Sequence, residues 1–162
     1  DYADEPGELS FYENEKGVHA LALTHKETTG LETAGKLLLD IFLTKPWLAI
    51  LVSAALSAGW VIIPMLIFYF HPKTRRWMNK THSRFNDVKI SINERSMKVP
   101  AQLGKVELDS IMDVHMFKHK RGKKIDLEVM LVLTEGKEKT FFISNLTPQD
   151  ADEIAAFIME NV

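Results

Sequence analysis

Residues Trp47 to Trp77 read WLAILVSAALSAGWVIIPMLIFYFHPKTRRW, an apolar run that ends in a cluster of bases. No charged side chain lies between Lys45 and His71. Wound as one helix, Trp47 to Phe70 would extend about 36 Å, against roughly 30 Å of hydrocarbon in a bilayer. A core helix in a chain of 162 residues needs a polar face, and this run has none. Ser53 and Ser57, the hydroxyls that precede Tyr69, can bond back to helix carbonyls. Trp47 and Tyr69 fall near opposite ends, as interfacial aromatics do. Pro64 bends a membrane helix more readily than a soluble one. The run reads as a transmembrane helix over 47–70.

The flanks assign sides. Residues 1–46 carry nine acids and four bases, whereas residues 71–162 carry thirteen acids and sixteen bases. Lys73, Arg75, Arg76, Lys80 and Arg84 follow the run closely, which places the C-terminal part in the cytoplasm, matrix or stroma. Ahead of the run, TTGLETAGKLLLDIFLTKP shows a capping box at Thr29 and Glu32 and a polar stripe of Glu32, Lys36 and Asp40. Pro46 closes the segment. Three charges in so short a helix favour an amphipathic helix along the interface; the first arm of a transmembrane hairpin is the competing reading. The chain begins at Asp1 without a methionine, as a mature chain relieved of a targeting peptide would. It has no cysteine, which excludes disulfides, thiolate metal sites and a cysteine nucleophile.

The remaining sequence alternates. LSFYENEKGVHALALTH is two strand-like runs about the turn-forming set Asn14 to Gly17. VKISI, SMKV, GKVEL and SIMDVHMF follow, and in DLEVMLVLT the residues Leu127, Val129, Leu131 and Leu133 share a face. After KTFFIS, Thr147, Pro148 and Asp150 start a helix whose apolar stripe is Ala151, Ile154, Ala155 and Ile158. The expected fold is membrane α plus α+β. One transmembrane helix, or a two-helix hairpin, carries a small antiparallel sheet or half-barrel closed by a C-terminal helix. That strand order is similar to a pleckstrin-homology-like half-barrel. The divisions are an N-terminal hairpin (1–28), an interfacial helix or short first span (29–46), the transmembrane helix (47–70), a basic juxtamembrane segment (71–86) and a β-meander with its helix (87–162).

Candidate contact residues fall into two groups. Ser53 and Ser57, Ala54 and Ala58, and Ala55 and Gly59 are each four apart, a spacing that lets a second helix approach closely. Lys73, Arg75, Arg76 and Lys80, and the run KHKRGKK with Lys118, Lys120, Arg121, Lys123 and Lys124, are candidates for anionic lipid, cardiolipin included, or for an acidic partner. A solvated hairpin loop is the plain alternative for KHKRGKK, and without interleaved aromatics no nucleic acid is expected. His115 and His119 are four apart but fall where a strand runs into a loop, so no metal site is assigned to them. No G-x-S-x-G elbow, P-loop or dinucleotide fingerprint occurs. Neither a catalytic residue nor a cofactor is nominated.

LSFYENEKG ahead of the run, HPKTRRWMNK after it and the strand DVKISINERSMKVP resemble, in that order, the small mitochondrial inner-membrane proteins that assist assembly of ATP synthase, complex I and cytochrome oxidase. Those proteins have two spans in a hairpin, whereas the first span here would be the short, charged Leu31 to Leu43. The resemblance implies a non-catalytic accessory subunit or assembly factor of a respiratory-chain complex, active in electron transport by helix packing and matrix-side docking. It implies an integral protein of the mitochondrial inner membrane with its C-terminal domain in the matrix. Its partners would be membrane lipids and the transmembrane and matrix-side subunits of a larger complex. An anionic-lipid-binding, pleckstrin-like membrane protein is the alternative.

Overall fold

A tight turn fixes the first hairpin. In the computed structural model, which describes residues 7–24, 30–55 and 59–162, β1 (Glu8–Asn14) pairs with β2 (Gly17–Leu23). Asn14 Oδ1 accepts from Lys16 N at 2.8 Å and closes the turn. Gly17 has φ +119, and a Cβ there would lie 2.2 Å from the carbonyl oxygen of Ile92. Only glycine allows the hairpin to lie this close to β3 (Val88–Ile92).

β2 and β3 are antiparallel neighbours although a helical insertion separates them in sequence: Ala20 faces Ile90 and Val18 faces Ile92. β4 (Ser96–Val99) and β5 (Gly104–Glu107) extend this into a five-stranded sheet of order β1-β2-β3-β4-β5. β6 (Ile111–Arg121), β7 (Lys124–Leu133) and β8 (Glu138–Leu146) form a second sheet of three strands. Alternation places Ala20, Val88, Ile90 and Ile92 of the first sheet in one apolar core with Leu127, Val129, Leu131, Phe141 and Ile143 of the second. α5 (Pro148–Asn161) closes that core with Ala151, Ile154 and Ile158. Thr147 Oγ1 caps it by accepting from Asp150 N at 3.1 Å.

The insertion consists of α1 (Gly30–Thr44), α2 (Pro46–Ala55), α3 (Gly59–Phe70) and α4 (Pro72–Phe85). Prolines start α2 and α4, where a missing N–H costs nothing. α1 touches α4 and α2 touches α3, so the chain runs out through α1 and α2 and back through α3 and α4. The rings of Phe42 and Tyr69 meet edge-on at 5.6 Å. α3 and α4 meet at a bend at His71, whose ψ of 125° interrupts the helical path.

Three expectations are corrected. The 47–70 run is not one transmembrane helix. α2 has 10 residues and α3 has 12, about 15 and 18 Å of rise. No helix among the described residues is long and apolar enough to cross a membrane. An unbroken apolar sequence reports composition and not where the helix ends. The integral inner-membrane localisation, with the C-terminal domain in the matrix, falls with the span. The sidedness drawn from charge falls too, because β2 and β3 share a sheet and both ends of the insertion leave from the same place. What the structure has is an α+β fold of two antiparallel sheets and, among the described residues, five helices.

Gly17→Ala should lower the unfolding free energy by more than about 3 kcal/mol, because strain and a backbone clash add. Gly122→Ala, at φ +64 with open space around it, should cost about 1–2 kcal/mol. Chemical denaturation of both variants checks this, and equal costs would contradict the packing of the first hairpin on β3.

Candidate functional site

β7 is buried on both faces. Its odd-numbered residues from Ile125 to Leu133 enter the apolar core, while Lys124, Asp126 and Glu128 lie on the opposite face and are also buried. α4 packs on β8 beside them and buries Met78, Asn79, His82 and Ser83. Its arginines answer the acids. Arg76 Nε donates to Glu128 Oε2 at 2.9 Å, with Nη2 on the same oxygen. Arg84 Nη2 donates to Asp126 Oδ2 at 3.1 Å. Ser83 and Ser144 share a hydrogen bond of 2.6 Å, and Asn79 Nδ2 donates to Thr140 O at 3.1 Å.

A β-bulge sets the far end of this contact. Ile125 faces Leu146 and Leu127 faces Ile143, so Asp126 lies opposite both Ser144 and Asn145. Asn145 has φ +64 and is 2% exposed. Its amide donates to Thr24 Oγ1 at 3.0 Å and to Arg84 O at 3.1 Å, and its Oδ1 accepts from Arg121 Nη2 at 2.8 Å. Asn145 O accepts from Gly7 N at 2.8 Å. Thr24 N donates to Asp87 Oδ1 at 2.9 Å. Both ends of the helical insertion are therefore tied at one polar knot. Burial pushes the Asp126 carboxyl up, but hydrogen bonds and charge from Arg121 and Arg84 outweigh it and hold the group below its ordinary value. A second tie joins α1 to α4, where His82 Nε2 meets Asp40 Oδ1 at 3.0 Å. Burial pulls His82 below its ordinary value, against the hydrogen bond and charge of Asp40.

Beyond these ties α2 and α3 are open. Trp47, Leu51, Val52, Trp60, Ile63, Ile67, Phe68 and Phe70 are all exposed, Trp60 by 79%. This is a far larger apolar surface than scattered single residues would give, and such surfaces mark contact sites. At the α3–α4 bend a cleft of about 790 Å³ is lined by Tyr69, Phe70, Lys73, Arg75, Asn79 and Lys139, among others. Arg75 lies 4.5 Å from the Tyr69 ring centre and donates through Nη2 to Ala101 O at 3.0 Å and Gln102 O at 3.2 Å. Burial lowers its pKa, opposed by Tyr69.

The structure separates residues that the sequence grouped. Ser57 and Ala58 lie outside the described residues, Ser53 lies in α2 and Gly59 opens α3. Ala54 and Ala55 are exposed at the end of α2. Every pair of small residues thus takes its second member from beyond the end of α2. In the basic run, Lys118 pairs with Asp152 on α5, Arg121 belongs to the knot and Lys124 is buried. Lys120 and Lys123 are exposed at the β6–β7 end. Of the bases after the apolar run, Arg76 is held by Glu128 and Lys80 is half-buried. Lys73 and Arg75 line the cleft together with Lys139. His115 and His119 approach different acids, Asp113 at 3.2 Å and Glu128 at 3.9 Å. No group of three metal-ligating side chains occurs among the described residues.

The knot and the Gln102 bridge to β8 escaped sequence reasoning. Gln102 Nε2 donates to Phe142 O at 2.9 Å and its Oε1 accepts from Phe142 N at 2.7 Å, like an added strand. No family model, curated protein or solved structure matches the chain.

The knot predicts an acid-labile fold. Because the folded-state pKa of Asp126 is depressed, its contribution is present above the unfolded value and is lost as pH falls through the folded one. Asp126→Asn should cost about 3 kcal/mol at neutral pH, the low end for a broken buried pair because both guanidiniums are partly solvated. The loss should shrink as pH falls through the acid range. Urea titrations at pH 7 and below pH 4 read it, and a loss independent of pH would contradict the assignment.

Proposed function

We propose that this chain is a non-catalytic accessory or assembly protein that works by contact from one face of a membrane. Its β-domain is a firm platform, and the α2–α3 unit is the surface that docks on lipid without crossing. The exposed tryptophans, leucines and isoleucines of α2 and α3 carry this reading, with no charged side chain from Trp47 to Phe70 among them. Helices of about 15 and 18 Å match the depth of roughly one leaflet of a bilayer. Lys45 and Lys73 lie at the two ends of the apolar stretch, where anionic headgroups would meet them. The resemblance of LSFYENEKG, HPKTRRWMNK and DVKISINERSMKVP to respiratory-assembly proteins is the ground for proposing a respiratory-chain complex as the partner class of the β-domain.

The knot and the α4 ion pairs support this role in a second way. They fix the apolar unit against the sheets, so contact made at α2–α3 orients the β-domain toward a neighbour. A flexible tether would localise the domain but not orient it.

Flotation with phosphatidylcholine vesicles tests the reading. The wild-type chain should float, and Trp60→Ser with Ile67→Ser should weaken binding at least about tenfold. Burying one large apolar side chain is worth about 1.5–3 kcal/mol, and about 1.4 kcal/mol is tenfold in affinity. A chain that ignores vesicles but buries the same face on a protein subunit would overturn the lipid assignment.

A further inference from the structure

Two residues that line the cleft at the α3–α4 bend each bury a polar atom. Arg75 Nη1, a donor, and Asn79 Oδ1, an acceptor, have no hydrogen-bond partner among the described residues. Asn79 is 2% exposed, and its amide nitrogen is already committed to Gln102 O and Thr140 O. Leaving such groups unsatisfied is costly, so the arrangement favours a ligand that completes them. The ligand must offer an anionic oxygen to the guanidinium and a hydrogen to the amide oxygen.

Charge narrows the choice. Lys73 and Lys139 are exposed along the same cleft. Of the acids lining it, Glu128 is held by Arg76 and Glu138 is exposed. The excess is positive, which favours a hydroxyl over an ammonium group as the donor to Asn79. Tyr69 and Phe70 continue the cleft onto apolar α3, and Phe70 is 73% exposed. A ligand with an anionic, hydroxylated head and an apolar body fits both parts.

We propose that this cleft binds the headgroup of an anionic, hydroxyl-bearing phospholipid, with phosphate on Arg75 and hydroxyl on Asn79. Its acyl chains would lie along α3. The assignment rests on the lipid-docking reading above and names which lipid that surface selects. Arg76 and the KHKRGKK hairpin take no part: Arg76 is spent on Glu128, and the hairpin lies at the Arg84 end of α4.

Binding of the full chain to phosphatidylcholine vesicles with and without phosphatidylglycerol tests it. The wild type should prefer the phosphatidylglycerol vesicles by about tenfold, the scale of one charge-assisted hydrogen bond. Arg75→Gln should lose most of that preference. Lys73→Gln with Lys139→Gln, both exposed, gives a variant whose folding is not at risk and should weaken the preference about threefold. Lys120→Gln with Lys123→Gln, at the far hairpin, should leave it intact. A preference that survives Arg75→Gln, or that disappears with the Lys120 and Lys123 pair instead, overturns the headgroup site. Displacement by soluble glycerophosphate would assign the cleft to a free phosphate and overturn the lipid assignment. Absence of binding to either vesicle would overturn the docking reading and this one together.

Discussion

The side-chain amide of Asn145 ties three separate elements of the molecule together. It bonds the end of β2 through Thr24, the end of α4 through Arg84 and the end of β6 through Arg121. The first two are the places where the helical insertion leaves and rejoins the sheets. Beside it, Asp126 takes both Arg84 and Arg121 onto one buried carboxylate. Neither residue could take this position in a regular ladder. The bulge opposite Asp126, and the positive φ it imposes on Asn145, bring the side chains together. A non-glycine residue in that conformation is strained, and asparagine is among the residues that adopt it most readily.

The second consequence concerns α4. A helix of mostly polar residues covers the outer face of the three-stranded sheet because that face is itself polar. Asp126 and Glu128 are two apart on β7, Arg84 and Arg76 eight apart on α4, and each acid takes the arginine at its own end. Buried ion pairs add little net stability over an apolar replacement, but mismatching them is expensive, so they specify register. Greasy α2 and α3 are thereby presented by a helix that cannot slide along its sheet. Apolar contact and fixed orientation thus come from separate parts of one insertion.

Much of the β-domain was legible from alternation. VKISI and DLEVMLVLT become strands with the apolar residues inward, and Thr147-Pro148 starts the last helix. Pairing was not legible, since nothing in GVHALAL says that its partner is VKISI beyond a long insertion. Local patterns specify strands, while sheet order depends on contacts distant in sequence. The apolar run misled because hydropathy sums composition and does not locate a chain reversal. The partners of KHKRGKK were not legible, because charge density in sequence ignores which acids the fold brings near: Asp126 lies close in the chain, but Asp152 comes from α5. One signal was available for the α4 contact. Acids alternating with leucine and valine in a strand buried on both faces call for a basic helix above them, and Arg76 and Arg84 share a face of the helix that supplies it.

The account depends on the first hairpin sharing a sheet with β3, β4 and β5, with the helices looping out between neighbouring strands. The absence of native cysteine allows a direct measurement. Leu21 and Lys89 face each other across β2 and β3, so Leu21→Cys with Lys89→Cys should close a disulfide under mild oxidation and shift the whole population on a non-reducing gel. Leu21→Cys paired with Lys105→Cys, which is two strands further along the sheet, should not cross-link. Failure of the first pair, or equal cross-linking of both, would contradict the shared sheet and with it the fixed presentation of α2 and α3.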